Sequence, residues 1–193
     1  SWTSDSFKVQ PKQLSDVINM ENDTTKLKLK DTFKKTYTGK AIVPTVDDID
    51  FTNLVNTKDA NNNAIFAASD FVIGSTEGDT VNVTTKGVNV YLTTTKAGYA
   101  GSVVINYTIS PLTLTAANVS DYLEATFVTT SKQYTGKNIT LKNTDVKIID
   151  KKSGVDLSSY VKGEDVIFIS GANYIKAGTQ FNTGKAGDAD LTF

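Results

Sequence analysis

This chain of 193 residues has no cysteine, no histidine and one methionine, and its 20 basic residues are all lysine, without a single arginine. Without cysteine or histidine the usual zinc, iron and copper sites cannot be built, and no thiol or imidazole can act as nucleophile or base. Most hydrolase and redox chemistry is thereby set aside, and the chain is expected not to be an enzyme. The missing arginines remove the bidentate fork that reads guanine and clamps phosphate. With a pI near 5.4, no nucleic-acid partner is expected. The only tryptophan is Trp2, so the aromatic cleft in which paired carboxylates cut glycosides is not in view. No run approaches the roughly 20 apolar residues that cross a bilayer, and membrane insertion is not expected. The lack of cysteine suits a disulfide-free secreted protein and a cytosolic one equally.

What is abundant is threonine, asparagine, serine and valine, with hydrophobic content at 39% and a net charge of −1. β-Branched side chains lose rotamer freedom in a helix and fit a pleated surface, so the fold class is expected to be all-β. Short strands are predicted at 7–9, 26–30, 71–74, 80–84, 88–94 and 102–109, then at 112–115, 125–129, 146–149, 166–169 and around Phe181. Residues 80–84 and 88–92 about Lys86-Gly87 read as a hairpin, with glycine supplying the positive φ of the turn. Short helical turns are predicted at 15–20 and 116–124, the latter capped by Asn118 or Ser120. Residues 47–55, with Thr52 as cap, suit a helix or a loop equally.

The tetrapeptide Tyr-Thr-Gly-Lys occurs twice, as Tyr37 to Lys40 and as Tyr134 to Lys137, at a spacing of 97 residues. Further blocks recur in the same order. Phe7-Lys8-Val9-Gln10-Pro11 matches Tyr107-Thr108-Ile109-Ser110-Pro111, Ser15-Asp16-Val17-Ile18 echoes Ser120-Asp121-Tyr122-Leu123, and Lys96-Ala97-Gly98 is matched by Lys185-Ala186-Gly187. A repeat of domain length points to a tandem array. Residues 11–109 are expected to form a first module and 110–193 a second, cut from a longer array, with 1–10 as the end strand of a preceding module or a linker. Several strands and a short helix per module suit an Ig-like β-sandwich, with a β-grasp-like module as the alternative.

The block Tyr37 to Pro44, with Ala97-Gly98-Tyr99-Ala100-Gly101-Ser102 and Tyr107 to Pro111, resembles the YTGK and GxY-x-G segments of bacterial surface-repeat domains, the MBG or bacterial Ig-like repeats of S-layer proteins and adhesins. The second copy follows less closely, since Asn138-Ile139-Thr140-Leu141 lacks the proline and Gly171-Ala172-Asn173-Tyr174 supplies a G-x-N-Y. The resemblance implies an extracellular, cell-surface, non-catalytic role. S-layer self-assembly is the leading expectation, an adhesin stalk or ligand-binding repeat the second, and a carbohydrate-binding module of an extracellular enzyme the third. The partners so implied are further copies or neighbouring repeats, a cell-wall polymer, or a host glycan or protein.

The candidate residues follow from the motifs. Tyr37, Lys40, Tyr134 and Lys137 either build a strand edge, with the tyrosine hydroxyl in water and the lysine outward, or anchor contacts between modules. Lys26, Lys28 and Lys30 alternate with Leu27 and Leu29, which places the three on one wet strand face. They either keep an edge strand from aggregating or attract an anionic wall polymer. No cofactor is expected. Ca²⁺ is the one candidate, at Asp47-Asp48-Ile49-Asp50 or Asp188-Ala189-Asp190, although neither has EF-hand spacing and solvated loop acids are the plainer reading. A carbohydrate-binding module would need a planar aromatic row, for which Tyr91, Tyr99, Tyr107 and Tyr160 are available.

Overall fold

The structure, a computed structural model, describes residues 6–128, 131, 133–137, 143–160, 166–167, 173–176 and 181–182. It is built from small β-sheets with very little helix. The chain separates into two compact units. Unit 1 comprises Ser1–Lys35, Val43–Thr80 and Thr85–Thr108, and unit 2 comprises Thr36–Ile42, Val81–Thr84 and Ile109–Phe193. The break after Thr108 falls one residue before the expected module boundary. The first Tyr-Thr-Gly-Lys block and residues 81–84, however, belong to unit 2 although unit 1 surrounds them in sequence.

Unit 1 carries β1 (Lys12–Gln13), β2 (Lys28–Leu29), β3 (Ile49–Asp50), β4 (Phe71–Glu77), β5 (Val88–Thr94), β6 (Tyr99–Ala100) and β7 (Ser102–Tyr107). Strands β4, β5 and β7 form an antiparallel sheet with β5 central, while β1 runs parallel to β6 and β2 antiparallel to β3. The period of two explains the core. Val88, Val90 and Leu92 of β5 and Val103, Ile105 and Tyr107 of β7 are all buried, against Leu14, Ile18, Leu27, Leu29, Ile49, Phe66 and Phe71. Each such aliphatic burial stabilises by about 1.5–3 kcal/mol before chain entropy is subtracted.

Two sequence expectations fail here for local reasons. Residues 80–84 are not a strand, and the hairpin partner of β5 is β4, joined to it by a connection whose Gly78 and Gly87 both have positive φ, +121° and +72°. The Val-Asn-Val-Thr alternation of residues 81–84 mimics a strand, but Val83 N–H donates to the Asn173 side chain within unit 2 at 2.7 Å. Residues 7–9 are irregular, and Phe7 is 91% exposed, because no strand lies beside them among the described residues.

The turns are shorter than expected. Residues 15–20 yield a 3₁₀ turn at Leu14–Asp16. Residues 47–55 split into two 3₁₀ turns, Val46–Asp48 and Thr52–Asn56, around β3. The first of these is closed by a Thr45–Asp48 capping box.

Unit 2 carries β8 (Leu112–Leu114), the single-turn helix α1 (Val119–Tyr122), β9 (Leu123–Phe127), β10 (Val146–Asp150), β11 (Val166–Ile167), β12 (Tyr174–Lys176) and β13 (Phe181–Asn182). Strand β8 is parallel to β12, β9 antiparallel to β10, and β11 antiparallel to β13. Of the two caps expected for α1, Asn118 holds the N-cap position and Ser120 does not. Asn118 makes no side-chain cap bond, and its Oδ1 instead accepts from Thr115 N–H at 2.9 Å. The core gathers Tyr37, Ile109, Leu114, Val119, Leu123, Val146, Ile148, Leu157 and Tyr174.

Each unit has the same backbone wiring. Lys12 N–H donates to the Gly98 carbonyl in the parallel pair β1 and β6, and Leu112 N–H donates to the Asn173 carbonyl in the parallel pair β8 and β12, both at 2.9 Å. Lys30 N–H bonds the Asp48 carbonyl and Val128 N–H the Asp145 carbonyl, both at 2.8 Å. Asn173-Tyr174 is therefore the second counterpart of Gly98-Tyr99. This pair ends the G-x-N-Y expected in the second copy. Lys185-Ala186-Gly187, expected to match Lys96-Ala97-Gly98, lies outside the described residues, as do Asn138 to Leu141 and Asp188 to Asp190.

Candidate functional site

The first Tyr-Thr-Gly-Lys block is built into unit 2 from the backbone outward. Thr36 forms a parallel bridge with Ser110, and Tyr37 N–H donates to the Ser110 carbonyl at 2.8 Å. Ser110 precedes Pro111, which holds it extended and leaves its carbonyl free to accept. Two residues on, Gly39 turns the chain at φ +76°, a conformation that side chains with a Cβ resist. A Cβ there would also lie 2.5 Å from Lys152 Cγ, so the glycine is needed for close approach as well as for the turn.

This path delivers the Tyr37 ring, 1% exposed, onto Tyr174 edge to face at 5.2 Å and beside Tyr122 at 6.4 Å. Tyr122 and Tyr174 are themselves 6.1 Å apart, and the Lys152 ammonium sits 5.5 Å above the Tyr122 ring. The polar point of the cluster is Asp150, at the end of β10 and 2% exposed. Its Oδ2 accepts from the Tyr174 hydroxyl at 2.9 Å, and its Oδ1 accepts from Lys152 N–H at 2.8 Å in an Asx turn. The Tyr37 hydroxyl interacts with both the Tyr174 hydroxyl and the Asp150 carboxylate. A buried carboxylate is tolerated here because turn amide and phenol replace the water it gave up.

Burial pushes the phenol of Tyr174 far above its ordinary value, reinforced by its bonds to Tyr37 and Asp150. Burial likewise raises that of Tyr37, although its bond with Tyr174 works the other way. Burial alone raises that of Tyr107 in unit 1. For each, the folded form binds its proton more tightly than the unfolded chain does, so the stabilisation is complete below pH 10, the ordinary value, and falls as the pH rises above it. Each buried tyrosine then lowers stability by about 1.4 kcal/mol per pH unit until its folded pKa is reached. Above pH 10, the part of the tyrosinate absorbance that belongs to the buried Tyr37, Tyr107 and Tyr174 is expected to develop in step with loss of circular dichroism, and ionisation of all eight tyrosines without unfolding would contradict their burial.

The two copies of the block stand in different surroundings. Tyr37 presents no surface and so cannot be the exposed contact anchor, or the edge tyrosine with a wet hydroxyl, that the sequence suggested. Tyr134 is 84% exposed. Lys40 and Lys137 are both exposed.

Leu27 and Leu29 point inward and Lys28 and Lys30 outward, as the alternation required, with Lys26 half-buried. The extended strand is shorter than expected, however, and acidic residues lie close to it. Lys26 pairs with Asp23, Lys28 lies opposite Asp50 in register, and the Lys30 ammonium donates to the Asp47 carbonyl at 2.6 Å. The carboxyl of Asp50 is held below the usual range by hydrogen bonds from Thr52 and then by Lys28 and Lys30.

Asp48 spends Oδ2 on Thr45 N–H at 2.8 Å and Asp50 spends Oδ1 on Thr52 N–H at 2.9 Å. No group of three or more His, Cys, Asp or Glu side chains poised to hold a metal occurs among the described residues. Of the four tyrosines offered for an aromatic row, only Tyr160, 44% exposed, is among the exposed large hydrophobic residues. Tyr107 is core, Tyr99 packs on Phe66 at 4.8 Å, and Tyr91 hydrogen-bonds Glu77 at 2.8 Å.

Sequence reasoning missed Asp150, Tyr122 and Lys152 as a site. The available signal was an Asp followed by Lys-Lys-Ser-Gly, which reads as an Asx turn, but nothing in it announces that the carboxylate is buried. Neither a scan of family models nor searches of curated proteins and solved structures find a match to this chain. The cluster holds the Tyr37 to Lys40 segment within unit 2 by edge-to-face and tilted ring contacts around a buried carboxylate that accepts a phenol hydrogen bond.

Proposed function

We propose that this chain is a non-catalytic structural piece of a bacterial cell-surface protein, made of tandem modules whose work is spacing and assembly outside the cell. The modules are read as Ig-like sandwiches, with a β-grasp-like fold as the alternative that the parallel pairing of a first strand with a late one also suits. The observation that carries the reading is the recurrence of one backbone wiring in both units, since repeated modules build length or lattice. The likeness of the Tyr37 to Pro44 block to surface repeats supplies the location, and a lysine-only, cysteine-free and histidine-free composition agrees with it. S-layer self-assembly is the first form of this function and an adhesin stalk the second. Light scattering on the purified chain over a concentration series, with and without Ca²⁺, followed by negative-stain imaging, separates them. Sheets or regular oligomers are expected for a lattice subunit, and a strict elongated monomer moves the function to a stalk. Saturable binding to soluble oligosaccharides would instead place it with carbohydrate-binding modules.

A further inference from the structure

We propose that Tyr134 to Lys137 is a docking segment whose partner is a further module of this same kind, one presenting the Tyr-Asp-Tyr site in which unit 2 holds Tyr37 to Lys40. The two segments have the same four residues and their glycines the same backbone setting, φ +76° at Gly39 and at Gly136. Their surroundings are opposite. A Cβ at Gly39 would strike the Lys152 stem, while one at Gly136 would meet nothing within 4 Å, and Tyr37 is buried where Tyr134 is 84% exposed. The second segment thus has the shape of the docked one and lacks what the first is docked on.

The occupied site states what the partner must offer. It needs an extended residue before a proline whose carbonyl accepts the tyrosine N–H, as Ser110 does, and two aromatic rings with a buried carboxylate for the phenol, as Tyr122, Tyr174 and Asp150 provide. It also needs an aliphatic stem beneath the glycine, as Lys152 provides. Unit 1 does not meet this description. Tyr99 stands where Tyr174 does, but Phe66 already packs on it at 4.8 Å. Asn53, 97 residues before Asp150 as Tyr37 is before Tyr134, spends its amide on the carbonyls of Asp23 and Lys26. With the unit 2 site filled by Tyr37, an intact second copy of this chain has no vacancy, so the partner is a module of the unit 2 type with its site open. This inference rests on the repeat geometry alone, and its failure leaves the cell-surface reading where it stood.

The test vacates the site in the full-length chain by Tyr37→Ala together with Gly39→Val, because Tyr37→Ala alone leaves the backbone N–H of residue 37 on Ser110 and Gly39 over the Lys152 stem. A synthetic peptide of residues 131–139 is added to this variant. The peptide is expected to bind the variant and raise its melting midpoint, whether unit 2 starts folded or is recovered on binding. The same peptide with Tyr134→Ala should bind at least about tenfold more weakly, and wild-type chain, with its site filled, should not respond. A peptide of residues 35–43, the native occupant, is the positive control. The variant should also self-associate more than wild type with rising concentration, through its partner copy's second block, and adding Tyr134→Ala to it should abolish that excess. Equal response of wild type and variant, equal binding of the alanine peptide, or capture of the control peptide but not of residues 131–139 would each overturn the proposal, as would an excess of self-association over wild type that survives the addition of Tyr134→Ala.

Discussion

Replacing Tyr37 with alanine is expected to cost about 3–5 kcal/mol, the usual range for deleting a fully buried aromatic side chain, whereas Tyr134→Ala should stay within about 0.5 kcal/mol of wild type. The two substitutions remove the same atoms from the same tetrapeptide, so propensity and local sequence cancel in the comparison. What remains is the surroundings. Tyr37 leaves behind a space walled by Tyr122 and Tyr174 and a carboxylate with one partner fewer, while Tyr134 leaves only water. Urea unfolding of both variants measures the difference, and hydrogen exchange locates it. Protection should fall in β8, β10 and β12 and persist in β4, β5 and β7, whose core contains none of these side chains. Equal losses for the two variants, or none for either, would mean that Tyr37 is not held as the structure describes. Tyr37→Phe should lose only about 1 kcal/mol, the net worth of its hydroxyl interactions, because the ring contacts survive.

That contrast also marks what could and could not be read from the sequence. Period-two stretches such as residues 88–94 and 146–149 announced their strands, since alternation decides which face is buried before any partner is known. The existence of a repeat was equally legible, because identical segments in the same order need no structure to be noticed. Pairing was not legible. Residues 80–84 have a strand's alternation yet are not a strand, and nothing local says that β5 takes its second neighbour from residues 71–77. Two-residue strands such as β1, β3 and β6 have too few positions to show any period, and only their backbone bonds reveal them. The fate of the two Tyr-Thr-Gly-Lys blocks was the least legible feature of all. Identical residues are buried in one place and exposed in the other because the deciding groups, Tyr122, Asp150, Lys152 and Tyr174, lie between 85 and 137 residues downstream of Tyr37. Asp150 is the hardest of these to foresee, since an acidic residue among two lysines, a serine and a glycine reads as a solvated turn until its carboxylate is seen beneath the tyrosines.

Asp150→Ala is expected to destabilise unit 2 by about 2–4 kcal/mol, and Asp150→Asn by clearly less, because the cost lies in the partners left behind rather than in the charge itself. Alanine removes the acceptor of the buried Tyr174 hydroxyl and of the Lys152 turn amide together, leaving a phenol in a pocket that water does not reach. Asparagine keeps a carbonyl oxygen able to accept one of these bonds and so keeps the turn. A double-mutant cycle tests whether phenol and carboxylate act as one unit. Once Asp150 is alanine, Tyr174→Phe should cost little, since the hydroxyl it deletes has already lost its acceptor, and the coupling energy should fall in the range of about 0.5–3 kcal/mol found for contacting groups. Additive losses would detach the aspartate from the tyrosines and leave ring packing alone to hold the segment. In that case Tyr37→Phe would be fully tolerated, and nothing in the site would prefer the tyrosine with which both copies of the block begin. Coupled losses mean that the site recognises a phenol and not merely a ring, which is the discrimination that a docking position for Tyr-Thr-Gly-Lys segments requires.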